Sequence, residues 1–457
     1  MHKILLRFFS WLVCVLALHQ GFSQPVSSST TLKELLQLAA TNYPLLKAKA
    51  LEIKAAERGV DISKKTIIPS LDAAYQVNYA TYNNITGMAY PQFLLPISGP
   101  PSAENHYSGV FGSATSLLLN WQPVTFGQRQ SQIDFSKAGL QYAKADANNE
   151  IFQHKVKVIN AYLDVVTATA LEKVYRENLS RTSANLAVAK TLVINGIKPG
   201  VDTALVKAEV SRAKVELLNS EKAKEQALIT LSALLATDQL PAVTDTTYFS
   251  KLPATLTSVD TVSNSLVSLY SSNVELSKVK RKMLAKTMMP ALGTWATTYA
   301  RGSGADNNGN VHSLNGLGLQ RYNYGLGLQL SIPILQFAKV HPQLAQQDFQ
   351  IKANEEKLNE VVLKVKKQIQ QADTALSAAL RICRETPLYY ESANYSYRAL
   401  RSRYESGLAN YADLMQAQYG LIRAAADNKL SYMAVWKGLL YKAAVNGDLN
   451  LFLNQVN

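Results

Sequence analysis

YNYGLGLQLSIP, residues 322–333, alternates strictly. Tyr322, Tyr324, Leu326, Leu328, Leu330 and Ile332 fall on one side, and Asn323, Gly325, Gly327, Gln329 and Ser331 on the other. A period of two with one apolar side is the pattern of a β-strand that has a greasy face and a wet one. Pro333 closes the run. The stretch is foreign to its surroundings, because most of the chain is rich in Ala, Lys and Glu at helical spacing.

Three more segments share the pattern. SLDAAYQVNYATY puts Leu71, Ala73, Tyr75, Val77 and Tyr79 together, with Asp72, Gln76 and Asn78 opposite. VFGSATSLLLNWQP aligns Phe111, Leu117, Leu119 and Trp121 and is expected to stop at Pro123. ALGTWATTYARG alternates less cleanly; Trp295, Thr297 and Tyr299 share a side, but the outward side stays open. Strands are expected at about 70–82, 109–122, 291–301 and 321–332.

The strands come in pairs, each inside a larger unit with the same order of parts: helix, proline, strand, loop, strand, proline, Phe, long helix, turn, return helix. The first unit covers 24–236, with its opening helix starting near Thr31, where Thr31 and Glu34 have capping-box spacing. This helix is read as one run to the break at Pro69. A long helix follows at 127–195 and a return helix at 203–236. The second unit covers 265–446, with helices at 338–406 and 414–446. An irregular linker, 237–264, joins the units, and 447–457 is read as a tail. A helix of roughly 70 residues is about 100 Å long. Apolar residues recur by sevens at Ile151, Val158 and Val165, then at Leu179, Leu186 and Val193, and in the second run at Val362, Ile369, Leu376 and Cys383. Such heptads point to coiled-coil-like packing. Pro387 is expected to interrupt the second run.

Both long helices end in matching turns, NGIKPGVD and SGLANYAD, with Gly196 and Asp202 spaced as Gly407 and Asp413 are. Glycine suits the left-handed position that stops a helix. Each aspartate has an ordinary alternative role, as a cap at the start of its return helix.

His2, Lys3 and Arg7 precede an apolar run from Phe8 to Leu18, with Gly21 and Ser23 before Gln24. This reads as a secretory signal peptide at 1–23, too short to span a membrane. The expected mature chain keeps one cysteine, Cys383, so no internal disulfide is available. The formal charge is +14, and removing Lys3 and Arg7 leaves about +12. The basic residues interleave with Glu and Ala along helices, the pattern of a solvated face, and lack the aromatic interleaving of a nucleic-acid surface. No other apolar stretch has the length of a transmembrane helix, so membrane entry requires a β-barrel. About ten alternating residues cross a bilayer when tilted. Four strands cannot close a barrel, which needs about eight or more, so several chains would have to share one. The alternative is a soluble sheet with its greasy face against helices.

This ordered duplication, with the paired turns and the ending YMAVWKGLLYKAAVNGDL, resembles the TolC-type outer-membrane efflux channels over essentially the whole mature chain. The resemblance implies a mostly α fold with a transmembrane β-barrel. Four strands per protomer would build a twelve-stranded barrel in a homotrimer, continuous with a long periplasmic helical barrel. It implies an exit duct of a tripartite efflux or type I secretion system, placed in the outer membrane among its lipids and reaching into the periplasm. Its partners would be a periplasmic adaptor (membrane fusion) protein and, directly or through it, an inner-membrane transporter. By the same resemblance, Gly196, Asp202, Gly407 and Asp413 lie at adaptor-facing tips. Asp413 and Gln416 would stand at the periplasmic entrance, Gln416 where some members carry a second acid. Tyr75, Val77, Tyr79, Phe111, Leu117, Leu119, Trp121, Tyr322, Tyr324, Leu326, Leu328 and Leu330 would face lipid.

Enzymatic chemistry has no residues to carry it. There is no phosphate-binding Gly-Lys-Ser/Thr loop, and GLGLQR and GLGLQL lack the dinucleotide pattern; their glycines read as small lumen-facing residues. The six histidines are scattered without metal-ligand spacing, and His106 and His312 fall in expected loops. No catalytic residue, cofactor or metal site is expected. The competing function is a periplasmic helical scaffold without a channel.

Overall fold

The computed structural model describes residues 31–81, 83, 104–105, 107–243, 245–254, 264–306 and 311–456. The expected signal peptide, most of the first loop and His106 lie outside them. In chain order the elements are α1 (Leu32–Asn42), α2 (Pro44–Lys65), β1 (Ser70–Thr81), β2 (Gly109–Val124), α3 (Gln128–Ile194), α4 (Gly200–Leu235), α5 (Ser265–Lys286), β3 (Ala291–Ser303), β4 (Arg321–Ser331), α6 (Gln336–Glu405), α7 (Tyr411–Asn446) and α8 (Asn450–Val456). Short 3-10 turns lie at Thr247–Phe249 and Ser313–Leu317.

Two compact units divide the chain. One comprises Asp146–Ser268, Val361–Asn457 and the described residues up to Ala50; the other comprises Leu51–Ala145 and Leu269–Glu360. The second unit holds an antiparallel sheet in the order β1-β2-β3-β4. The first holds two apolar clusters. In one, Leu35, Ile159, Leu163, Leu231, Leu235 and Leu439 gather around Trp436. The Trp436 indole donates to the Tyr248 carbonyl at 3.0 Å, and Tyr248 and Phe452 stand edge-on to its ring. In the other, Ala189, Leu192, Val206, Leu414 and Leu421 pack with Tyr397, Tyr404 and Tyr411.

Several expectations need correction. The opening helix is two helices. Pro44 starts the second, and the residue before a proline is pushed out of helical geometry; Tyr43 is extended (φ −65°, ψ 122°). The capping box at Thr31 is present, with Thr31 Oγ1 accepting from Glu34 N at 3.4 Å and Glu34 Oε2 accepting from Thr31 N at 2.9 Å. β2 continues through Pro123 to Val124, because the register with β3 shifts between Trp121 and Val124 and leaves the proline off the ladder. The tail contains α8, whose Phe452 is buried.

α6 runs unbroken through Pro387. A proline there deprives the Cys383 carbonyl of its usual donor four residues on. The Thr386 hydroxyl lies 3.4 Å from that carbonyl and 2.7 Å from Ser431 Oγ on α7. Local polar partners therefore take over at the break, and Cys383 sits buried beside them. In the seam of α6, Val361, Val365, Ala372 and Cys383 are buried while Val362 is 46% exposed, so its heptad frame is displaced by one residue at the start.

Candidate functional site

The sheet has two unlike faces. Directly opposed residues of an antiparallel pair point to the same side, so the register assigns every strand. Tyr75, Val77 and Tyr79 pair with Thr115, Ser113 and Phe111. Leu117, Leu119 and Trp121 pair with Thr298, Ala296 and Thr294. Those three pair in turn with Tyr324, Leu326 and Leu328. Tyr322 and Leu330 join them through Ala300 and Leu292. Thus the apolar sides of β1, β2 and β4 form one surface, and β3 adds small residues to it. Tyr75, Tyr322, Tyr324, Leu326 and Leu328 are more than 60% exposed; Phe111 and Leu119 are half-buried.

The side of β3 that the alternation left open is thereby fixed: Trp295, Thr297 and Tyr299 belong to the opposite, polar face. There Trp295 is paired with Gly327. A Cβ on Gly327 would come within 2.7 Å of the Trp295 ring, and one on Gly325 within 3.2 Å. The glycines of YNYGLGLQLSIP are the seat of this indole. The four strands contain three charged residues, Asp72, Arg301 and Arg321, and all three lie on the Trp295 face. The tyrosine-bearing face has none.

At the strand-to-helix junctions the chain leaves more apolar surface uncovered: Ile67, Ile68, Phe126, Ile332, Ile334, Leu335 and Phe337 are all exposed. Phe126 takes a left-handed conformation (φ 43°) that a bulky residue rarely adopts, followed by Gly127 at φ 92°. The turn is held by Arg129 Nη1 donating to Pro123 O at 3.1 Å and by Gln128 Nε2 donating to Met289 O at 2.5 Å.

The two glycine turns belong to the other unit. Gly196 (φ 72°) and Gly407 (φ 77°) end α3 and α6 with the same pair of backbone bonds. Ile197 N donates to Leu192 O at 2.9 Å and Gly196 N to Val193 O at 3.0 Å; Leu408 N donates to Arg403 O at 2.8 Å and Gly407 N to Tyr404 O at 3.0 Å. Both are Schellman ends. The turns touch each other. Lys198 Nζ donates to Ala409 O at 2.8 Å and lies 3.4 Å from Gly407 O and 5.4 Å from the Tyr404 ring centroid.

The two aspartates differ. Neither caps its helix: the caps are Pro199, with no side-chain bond, and Asn410, whose side chain accepts from Asp413 N at 2.8 Å. Both lie in the first helical turn, where a carboxylate suits the helix dipole. Asp202 is buried, and the Tyr404 hydroxyl donates to its Oδ2 at 3.3 Å. Burial and the carboxylate beside it push the Tyr404 hydroxyl up to about 12. Asp413 and Gln416 are exposed.

Sequence reasoning missed two features here. One is a set of exposed apolar residues around the turns: Ile194, Ile197, Val201, Leu205 and Leu408. The other is a buried polar layer. Gln418 Nε2 donates to Asn178 Oδ1 (3.1 Å) and Thr182 Oγ1 (2.6 Å), and its Oε1 accepts from Asn185 Nδ2 (2.9 Å). Asn185 also bonds the Tyr397 hydroxyl at 3.2 Å. The signal was available, because Asn178, Thr182 and Asn185 have the three–four spacing of a seam. Among the described residues, no helix is long and apolar enough to cross a membrane. No group of three or more His, Cys, Asp or Glu among them could hold a metal ion.

The architecture is mostly helical, with a four-stranded antiparallel sheet that carries one charge-free apolar face and continues into very long helices. The model of the outer membrane efflux protein family matches residues 35–237 and 273–430, and the chain belongs to that family. It is an outer-membrane efflux channel extending into the periplasm, acting as an exit duct. Family proteins form trimers, work with adaptor and inner-membrane pump partners, and are channels rather than enzymes.

The fold is similar to that of CusC (TM-score 0.75, 12% identity, 92% of each chain covered). It is also similar to VceC of Vibrio cholerae (TM-score 0.71, 14% identity, 91% of this chain and 96% of that one). The MtrE outer membrane channel of Neisseria gonorrhoeae, described in its open state, matches with TM-score 0.69 at 14% identity, covering 94% of this chain and 96% of that one. Comparison with curated protein sequences gave no match.

Proposed function

We propose that three copies share one barrel of twelve strands, with the tyrosine-bearing face toward lipid and the Trp295 face toward a water-filled lumen. The observation that carries this is the partition of charge: all three charged strand residues lie on one face. Within one chain, β1 pairs only with β2 and β4 only with β3 among the described residues. Two open edges are prohibitively costly in lipid unless another chain closes them. The exposed apolar residues at the junctions then meet the bilayer boundary.

The glycine turns are the periplasmic tips. Their apolar residues Ile194, Ile197, Val201, Leu205 and Leu408 offer a docking surface for an adaptor protein, which links the duct to an inner-membrane transporter. The chain itself catalyses nothing. Asp202, Tyr404 and Lys198 hold the two tips of a protomer together, while Asp413 and Gln416 face the entrance. Reconstituted in planar bilayers, the wild-type protein is expected to conduct weakly, and Asp202→Ala to raise the leak several-fold by releasing Tyr404. Unchanged conductance in Asp202→Ala would remove the holding role from this pair.

A further inference from the structure

The connection from β3 to β4 folds back onto the sheet. Gly302 pairs with Ser113, and Ser113 with Val77, so a side chain at 302 would point to the tyrosine-bearing face. A Cβ there would collide with the Gly318 carbonyl oxygen, and one on Gly304, two residues on, would come within 2.7 Å of Ser313 O. A Cβ on Gly316 would run into the Phe111 carbonyl. These glycines let the 3-10 turn Ser313–Leu317 lie directly on that face at its loop end, over β2 and β3. There Ser113 and Ala300 are buried, although the face is open at Tyr75 and Leu326. The polar groups of the segment are tied inward: Phe111 N donates to Ser313 Oγ at 3.3 Å, His312 N to Gly304 O at 2.8 Å and Gln320 Nε2 to Asn315 O at 3.0 Å. Its leucines are left outside, Leu314 at 72% exposure and Leu317 at 43%. Tyr322, on the same face, donates its hydroxyl to Leu319 O at 3.3 Å.

We propose that this turn docks on the outer leaflet of the outer membrane, with Leu314 and Leu317 seated at the boundary between headgroups and acyl chains. The proposal rests on the lipid-facing reading of the tyrosine-bearing face. Two observations choose lipid over a second copy of the chain. The turn lies on β2 and β3, the inner strands, whereas copies sharing a barrel would meet at the edges β1 and β4. The strand face that the turn extends has no charged residue, and neither have residues 313–320. An apolar face at the boundary sinks about 5–10 Å while polar groups stay among the headgroups, a place suited to the exposed His312 and Asn315. Backbone at that depth must satisfy its own hydrogen bonds, as the inward ties do. The turn would then fix the depth of the barrel and stand clear of the lumen.

The test places a small fluorophore on single cysteines of the full chain, reconstituted in vesicles; the native Cys383 is buried. A label at Leu314→Cys is expected to be quenched about twofold or more by lipid bearing a nitroxide near the headgroup, and less by lipid bearing it near the chain end. The same label should be shielded from iodide in the water. Leu317→Cys repeats the measurement where Leu314→Cys assembles poorly. Leu326→Cys, on the same face near the middle of β4, reports lipid contact independently, and Asn323→Cys, on the Trp295 face, reports water. Iodide quenching at Leu314 and Leu317 as strong as at Asn323, with Leu326 still quenched by lipid, would overturn the docking and leave the lipid face intact. Loss of lipid quenching at Leu326 as well would overturn both.

Discussion

The sheet and the tips invert the usual distribution of polar and apolar groups in opposite ways. The sheet leaves Tyr324 and Leu328 at least 80% exposed, whereas the tip cluster buries Asn178, Thr182, Asn185, Gln418 and Asp202. An exposed apolar surface of this extent marks a partner or a membrane. Buried polar groups add little net stability when satisfied but cost heavily when one partner is lost, and they hold register. The sheet therefore reads as a surface made for a solvent other than water, and the tips as helices whose apolar packing is fixed in register by specific bonds. The same contrast separates Asp202 from Asp413: equal spacing from a glycine yields one carboxylate locked by a tyrosine and one left in water.

Arginine substitutions test the sheet most severely. Leu326→Arg, near the middle of β4 on the charge-free face, should cost about 2–4 kcal/mol in lipid and reduce assembled protein in the outer membrane. Thr297→Arg lies at neighbouring depth on the opposite face, in the row of Asp72, and should cost under about 1 kcal/mol, since lumen substitutions tune selectivity instead. Equal costs in vesicle unfolding would erase the distinction between the faces.

At the tips, Gln418→Leu strands Asn178, Thr182 and Asn185 without their partner and should destabilise by about 3 kcal/mol. Gln416→Leu, two residues away and exposed, should stay within about 0.5 kcal/mol. Denaturant midpoints of the two variants give the comparison, and similar shifts would show that the polar layer contributes no specific restraint.

The smallest effect is a pH dependence in the cluster around Trp436. His154 is buried there, stacked on Tyr43 at 3.9 Å, with Nε2–H donating to Leu234 O at 3.0 Å. Burial holds its pKa below 6.5, so below that pH the unfolded chain takes up more protons than the folded one. The stabilisation is complete above pH 6.5 and declines as pH falls toward the folded pKa. His154→Gln should flatten this part of the profile; an unchanged profile would assign the dependence to other groups.

Much of this was legible in the residues. A strict period of two marks β4, and β1 shows it nearly as well, because one side of each carries almost only apolar side chains. β3 was not legible: Thr294, Ala296 and Thr298 are small on the apolar side, while Trp295 and Tyr299 are large on the polar one, and only pairing to β2 and β4 orders them. Pro123 and Pro387 misled for one reason: a bulge and neighbouring hydroxyls absorb the missing donor, and neither shows in local sequence. The glycine turns were plain from spacing. That Asp202 is buried and Asp413 is not goes with the Tyr404 hydroxyl, which reaches Asp202 from the last turn of the other long helix, α6.

The central claim is that the four strands of one chain are an incomplete wall. The native mass of the full chain, extracted from outer-membrane fractions in mild detergent, tests it most directly. A mass of three chains is the expected result, closing β4 of each copy on β1 of the next. A one-chain mass, from protein that leaves the membrane on washing with high salt, would contradict the shared barrel and return the sheet to the role of a soluble scaffold.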